Sequence, residues 1–380
     1  MPQPDPRAAK SLSAQLMELL LHLGMAATGV GTVLLGSILP RLSVQWHLRD
    51  KDAGLLLMVQ FAASASGALL IRRNLRRTMA IGYALFAAGG LAVFVLQQRS
   101  LPAFLVFGLG MGMAMTSTSI LVGRRSTTGR GAAMAILNSA WSVGAMACPL
   151  VAADLLRHTQ ASSLFGLLGL SVIPFAFLPV FAGQATFVTA SGTANVRTGR
   201  QEAWTIAYFA ALAFLYVGVE SSVGNWMSTY ATRDTAVSFA GSSVAIALFW
   251  AALLLGRAVT PAGLLVLSEI HLYRIAIVAA IAGICVMLGA HHRAVLLAGS
   301  ILTGLALGPV YPLNSSLFLA EIGESRNAGW MFATAGLGGA ACSWLTGIVS
   351  SGTGSLRIGL TVPGVAATVM AALASLRRRP

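Results

Sequence analysis

Glu220 stands in the middle of FLYVGVESSVGNWMSTYAT, Phe214 to Thr232, within an apolar run that begins near Trp204, and no Lys or Arg lies close to it in sequence. A charge at the centre of a bilayer costs about 2.5–3.5 kcal/mol even on the most lenient scale, so an acid there faces a cavity or a partner. Two readings follow: a titratable carboxyl that couples proton movement to transport, or a hydrogen-bonded structural acid. Tyr216 lies one turn earlier, on the same face of a regular helix. Gly218 and Gly224 flank the acid and let the helix bend or meet a neighbour closely. Asn225 and Trp226 follow, and Tyr230 reads as an interfacial anchor. Tyr216 and Asn225 are candidate solute contacts.

Other polar residues recur on single faces of apolar segments. Gln60 and Ser64 share one, and an amide offers both a donor and an acceptor to hydroxyl groups. Asn138, Trp141 and Ser142 share a second, where a ring could cover the C–H face of a sugar while the amide meets its hydroxyls. Tyr311, Asn314 and Ser315 share a third, which Pro309 and Pro312 interrupt, freeing carbonyls as cavity-lining segments do. Each group reads equally as helix-to-helix hydrogen bonding or core packing. Trp250 and Trp330 are further solute-contact candidates. Glu18 and His22, one turn apart, could pair and serve proton coupling or an inner gate, or could snorkel to water.

These residues need apolar helices to hold them. Of 380 residues 56% are hydrophobic and 9% charged, against about 25% charged in a soluble domain. The sequence therefore predicts an all-α membrane protein with twelve spans, near 14–40, 53–71, 79–97, 101–123, 131–154, 162–183, 204–229, 236–257, 273–290, 294–319, 327–350 and 356–376. The polar stretch 184–203 divides them six and six, giving an N-terminal bundle over 1–183, a central loop over 184–203 and a C-terminal bundle over 204–380. The first residues, MPQPDPRAAKSLS, form a polar tail, and the following run is expected to remain as the first span. With both termini in the cytoplasm, 17 of the 25 basic residues fall on the inner side and 8 on the outer. The net charge of +14 is thus a topology signal and no sign of nucleic acid. Cys148, Cys285 and Cys342 all fall in apolar runs and are expected as free core thiols. FGLGMGMAMTSTSIL from Phe107 aligns with TGLALGPVYPLNSSL from Thr303, matching Gly108 to Gly304, Gly112 to Gly308 and, beyond them, Arg130 to Arg326. A parallel repeat of six spans is the plan of a rocker-switch carrier with its site between the halves.

GALLIRRNLRR, from Gly67, resembles the Gly-x-x-x-Asp-Arg-x-Gly-Arg-Arg loop of the major facilitator superfamily at Gly67, Arg72, Arg76 and Arg77, and departs from it at Ile71 and Asn74. Gly256 and Arg257 resemble a remnant of that loop in the second half, so these six residues are candidates for a gating loop. Within the superfamily, FLYVGVESSVGNWMSTYA, FWAALLLGR, GLALGPVYP and SLRIGLTVP are similar to segments of the fucose–galactose–proton symporter group of sugar permeases. That resemblance implies two pseudo-symmetric six-helix bundles, a sugar-like solute and proton coupling. The group's acids on spans 1 and 4 are replaced by Gly36 and Met115.

The function expected is secondary active transport by alternating access, with proton-coupled uptake of a monosaccharide or similar small polar solute. The alternatives are a proton-driven exporter of amphipathic compounds, which an apolar cavity with one acid would also serve, and a transport-dead membrane sensor. The sequence holds no Walker A, HExxH or paired CxxC, which leaves ATP hydrolysis, metal and redox chemistry without support. No cofactor or metal is expected, the partners are a solute, protons and lipid, and the chain reads as a monomer of a bacterial inner membrane.

Overall fold

The structure is a computed structural model that describes residues 6–70, 75–125, 130–178, 200–235, 237–322 and 329–376. Arg72, Arg326, Arg377 to Arg379 and most of the 184–203 stretch lie outside the described residues. The described chain is helical: α1 Pro6–Trp46, α2 Asp50–Leu69, α3 Leu75–Leu96, α4 Leu101–Arg125, α5 Arg130–Leu155, α6 Ala161–Ala176, α7 Arg200–Asp234, α8 Phe239–Gly263, α9 Glu269–Leu288, α10 Arg293–Leu307, α11 Val310–Ile322, α12 Gly329–Thr353, α13 Leu356–Gly359 and α14 Thr361–Leu376. Ten described segments are long and apolar enough to cross a membrane, α10 and α11 counting as one; the shorter α6 and the 25-residue α12 bring the spans to twelve.

Several helices outrun the lengths expected of them. α1 has 41 residues, about 60 Å at the helical rise, so it projects well beyond a bilayer core of ~30 Å. α8 continues six residues past Arg257 to Gly263. The tenth span breaks at Gly308 and Pro309, because Pro309 has no N–H to carry the ladder across. α11 restarts with Leu313 N–H donating to the Pro309 carbonyl at 3.0 Å.

The outer surface is apolar, with Leu105, Ile136, Val151, Leu255, Val278 and Val365 exposed as a lipid-facing side requires. With hydrocarbon on that side, hydrophobicity alone gives helices little reason to associate, and close packing of small residues has to do it. Gly108 and Gly112 of α4 lie against the carbonyls of Gln60 and Ser64 on α2, and Gly67 of α2 lies against the Leu109 carbonyl. In the second half Gly304 of α10 lies against the Phe249 carbonyl of α8, and Gly256 of α8 against the Leu305 carbonyl. The two sets match at fixed spacings, 189 residues from 60 to 249 and from 67 to 256, and 196 from 108 to 304 and from 109 to 305. The repeat read in the sequence is therefore a repeat of backbone contacts: α2 on α4 has the same crossing as α8 on α10.

Among the described residues the two halves meet mainly along α1 on α7, α5 on α8 and α2 on α12. The last runs antiparallel from Gly54 beside Trp344 and Gly347 to Ala65 beside Gly336. The fold has two ends. α1 starts and α14 finishes at the tail end, while α1 gives way to α2, α7 to α8 and α12 to α13 at the far end. Of the three free thiols, Cys148 and Cys342 are buried as expected, whereas Cys285 is exposed on the outer face of α9.

These crossings leave no room for larger side chains. Gly108→Leu and Gly304→Leu should each cost about 1–3 kcal/mol of stability and lower the melting temperature of the detergent-solubilised protein. Gly352→Ala, with no atom within 4 Å of the added methyl group, should leave it unchanged. Melting of all three at the parent temperature would show that the crossings are looser than described.

Candidate functional site

Glu220 is buried on α7, and its partner comes from 37 residues further along the chain. Arg257, within α8, donates from Nη2 to Glu220 Oε1 at 3.2 Å, with the two side chains 22% and 10% exposed. Separately, neither charge could remain in this setting; together they form one neutral unit. The same Nη2 lies 3.5 Å from the Tyr216 hydroxyl. Tyr216 is fully buried, and its ring stacks at 5.4 Å and 30° on Tyr311. Tyr311 arrives in the first turn of α11, so the break at Pro309 is what delivers it. Arg257 was expected at the inner boundary as a loop remnant. Its helix runs six residues beyond it and Gly256 beside it packs against α10, so the arginine stands within a packed helix and not in a connecting loop.

A second cluster joins the halves. Trp141 on α5 and Trp250 on α8 meet edge to face, with ring centroids 5.6 Å apart and planes at 81°. Both indole N–H groups are buried without an acceptor among the described residues. Gly224 makes the room: a methyl there would lie 2.9 Å from Trp250 Cζ2.

The remaining candidates are scattered about these two clusters. Gln60 is buried between α2 and α1, donating from Nε2 to the Gly31 carbonyl at 3.1 Å and leaving Oε1 without a donor. Asn314 donates to the Phe209 carbonyl at 3.4 Å and likewise leaves its Oδ1 unmatched. Asn225 donates to Ser343 Oγ at 3.3 Å, and Trp226 to the Ser343 carbonyl at 2.9 Å, so both tie α7 to α12. Tyr230 was read as an interfacial anchor; its hydroxyl instead donates to the last carbonyls of α9, Met287 and Leu288, both at 3.1 Å, and the ring is fully buried. Asn138 is exposed, and Trp330 is 59% exposed at the start of α12. Glu18 and His22 meet through the Glu18 carbonyl, 2.7 Å from His22 Nδ1, and not through the carboxylate. Gly67 packs against α4, and Arg76 and Arg77 stand in the first turn of α3.

Gly36, where the sugar-permease group carries an acid, faces Asn225 of α7 so closely that an added methyl would lie 2.5 Å from its Cα. The α1–α7 crossing itself excludes a carboxylate there.

One polar cluster gave no signal in the sequence reading. Asp50, at the start of α2, receives both terminal nitrogens of Arg233 from α7, at 2.6 and 2.8 Å, and the Ser350 hydroxyl of α12 at 2.5 Å. The Lys51 N–H donates to Ser351 Oγ at 2.8 Å beside it. Arg41 of α1 lies over the Phe239 ring of α8 at 5.3 Å, a further contact between halves at this end. Arg233 counts in the sequence only among the 8 basic residues of the outer side, and Asp50 by itself carries no signal there. Their opposite signs on one predicted side of the membrane were the available hint.

Twelve membrane-depth helices repeated six and six, with a buried ion pair and contacts between the halves at one end, define a membrane carrier. Residues 21–328 match the Major Facilitator Superfamily, and the chain belongs to it. Membership makes it a transporter and not an enzyme. It is 22% identical to Bypass of stop codon protein 6 of Saccharomyces cerevisiae, over 86% of this chain and 75% of that one. Its fold matches a bacterial homologue of the human lysosomal transporter Spinster, crystallised inward-facing and occupied, with a TM-score of 0.73 at 12% identity over 96% of both chains. It also matches FucP, a superfamily transporter crystallised in the outward conformation, with a TM-score of 0.60 at 14% identity over 96% of this chain and 99% of that one.

Asp50→Asn weakens the acceptor that Arg233 and Ser350 share, so the far end should separate more readily. Spin labels at the exposed Val44 of α1 and at Gly352 of α12, in a background lacking Cys148, Cys285 and Cys342, report that separation. The distance distribution should shift to longer values in Asp50→Asn; an unchanged distribution would mean that the cluster does not hold this end closed.

Proposed function

We propose that this transporter takes up a small, hydroxylated polar solute, a monosaccharide or a close relative, with a proton carried on Glu220. The observation that supports it best is the Glu220–Arg257 pair, buried between α7 and α8. An ionised Glu220 neutralises Arg257, and a protonated Glu220 releases it. The occupancy of one proton site thereby changes what the neighbouring cation can bind. The halves over 1–183 and 204–380 would act as the two rocking units, with the far-end cluster as the gate of the side away from the termini. The excess of basic residues at the tail end, 16 against 8 once the buried Arg257 is set aside, supports placing that end in the cytoplasm of a bacterial cell.

The solute class rests on unmatched polar atoms. Gln60 Oε1, Asn314 Oδ1, Ser315 Oγ and the indole nitrogens of Trp141 and Trp250 are all buried without partners among the described residues. Each costs about 1–3 kcal/mol if it stays so, a cost that a hydroxylated solute passing between the halves would relieve. Indole rings beside amide groups suit the alternating C–H and hydroxyl faces of a sugar.

Glu220→Gln keeps the shape and removes the titration. In proteoliposomes this variant should still exchange solute across the membrane but lose accumulation driven by an imposed pH gradient. Accumulation at the parent level would make Glu220 a structural or solute-binding acid and move the coupling elsewhere.

A further inference from the structure

Arg257 is under-used by its partner. A guanidinium presents five N–H groups in a planar fork that matches a carboxylate in bidentate fashion. Glu220 engages only Nη2, through one oxygen. Nε is buried with no acceptor, and among the described residues Nη1 carries no hydrogen bond. The hydroxyl of Tyr311, whose ring packs on that of Tyr216, likewise makes no hydrogen bond among the described residues. The groups acting on Glu220 are Arg257 from α8, Tyr216 from its own helix and Tyr311 from α11, with the neutral Cys342 thiol of α12 against Gly218 two residues earlier. The site therefore holds one acid, one cation and an excess of donors.

We infer that Arg257 is the solute's carboxylate-binding group, so that the solute is a hydroxylated monocarboxylate, such as a sugar acid, which takes the place of Glu220 on the guanidinium. The inference rests on the proton-coupled reading above and narrows its solute. Charge balance supplies the coupling. With Glu220 ionised, a second carboxylate would leave the site with a net negative charge at membrane depth, where an unpaired charge is costly. With Glu220 protonated, the solute carboxylate and Arg257 form the neutral pair. Binding then requires one proton, solute and proton move together, and the cycle carries no net charge. A neutral sugar with one proton would instead carry one positive charge and respond to membrane potential.

The purified full-length protein can be titrated with D-glucuronate, D-gluconate and L-lactate, and with D-glucose and glycerol as neutral counterparts. At least one carboxylate should bind, with affinity rising up to ~10-fold for each unit of falling pH between about pH 8 and pH 6. Its uptake into proteoliposomes should follow a pH gradient and ignore an imposed potassium diffusion potential. Arg257→Gln should abolish binding. Arg257→Lys, which keeps the charge and loses the fork, should weaken it by ~10-fold or more. Glu220→Gln, fixed in the neutral form, should bind the carboxylate with little dependence on pH. Melting temperatures establish that each variant is folded, and the lysine and glutamine exchanges at the two positions decide the matter even if Arg257→Gln is unstable. The inference is overturned if no carboxylate binds, if a neutral counterpart binds as tightly, or if the pH dependence survives in Glu220→Gln. Accumulation of glucose driven by the pH gradient, without carboxylate transport, would sink this inference and leave the proton-coupled reading standing. No pH-driven accumulation of either kind would sink both.

Discussion

A carboxylate in a slab of hydrocarbon must be neutralised where it stands, and the arrangement of the second half follows from that requirement. Glu220 and Arg257 are held at 3.2 Å by helices that cross through glycine contacts, so the pair's geometry is set by backbone packing and not by flexible side chains alone. Gly256 presses α8 onto α10, and the break after Gly308 turns α11 so that Tyr311 reaches Tyr216. If α8 stood further from α10, Arg257 would be drawn from Glu220 and leave both charges desolvated. A buried ion pair is weak support for stability, since an apolar pair of similar volume often serves as well. Its retention in a transporter makes sense as a switch.

The far end shows the opposite use of charge. Asp50 is nearly buried, but Arg233 keeps 44% of its side chain exposed. A bidentate contact with one face open to water can separate without stranding either charge in hydrocarbon. Such a contact can close a gate and release it again, whereas the deeper Glu220–Arg257 pair can separate only if a proton or another ion takes part. The closeness of Gly36 to Asn225 and of Gly347 to the Asp50 carbonyl supports closure at this end by backbone packing as well as by charge.

Much of the fold was legible in the sequence because its signals are long. The apolar runs and the match of Gly108 to Gly304 reappear, the last as equivalent helix crossings. Glu220 was legible for the same reason: an isolated acid in an apolar run is conspicuous. Its partner was not. Arg257 stands where the apolar run ends, so it reads as a loop charge, and only the continuation of α8 to Gly263 puts it inside a helix. Tyr230 was misplaced by the same logic, because an aromatic residue near a span boundary suits an interface equally well as a cap on the end of α9. Pairing between distant residues leaves no periodic trace, so the Asp50–Arg233–Ser350 cluster and the meeting of Trp141 with Trp250 required three dimensions.

One helix links the Glu220–Arg257 pair to the seam between the halves. Trp250 and Arg257 are seven residues apart in α8, two turns, and so share a face. On the antiparallel α7, Gly224 lies under Trp250 and Glu220 pairs with Arg257, four residues apart and again on one face. The same strip of α7 and α8 therefore carries an ion pair at one level and, at the next, the ring that touches Trp141 of the other half. A sideways shift of α8 that lengthens the Glu220–Arg257 contact must also move Trp250 over Gly224, where there is no slack to absorb it, and with it the edge-to-face contact on Trp141. The ion pair and the Trp141–Trp250 contact between the halves are thereby tied by one helix of about 37 Å and need no longer chain of intermediaries.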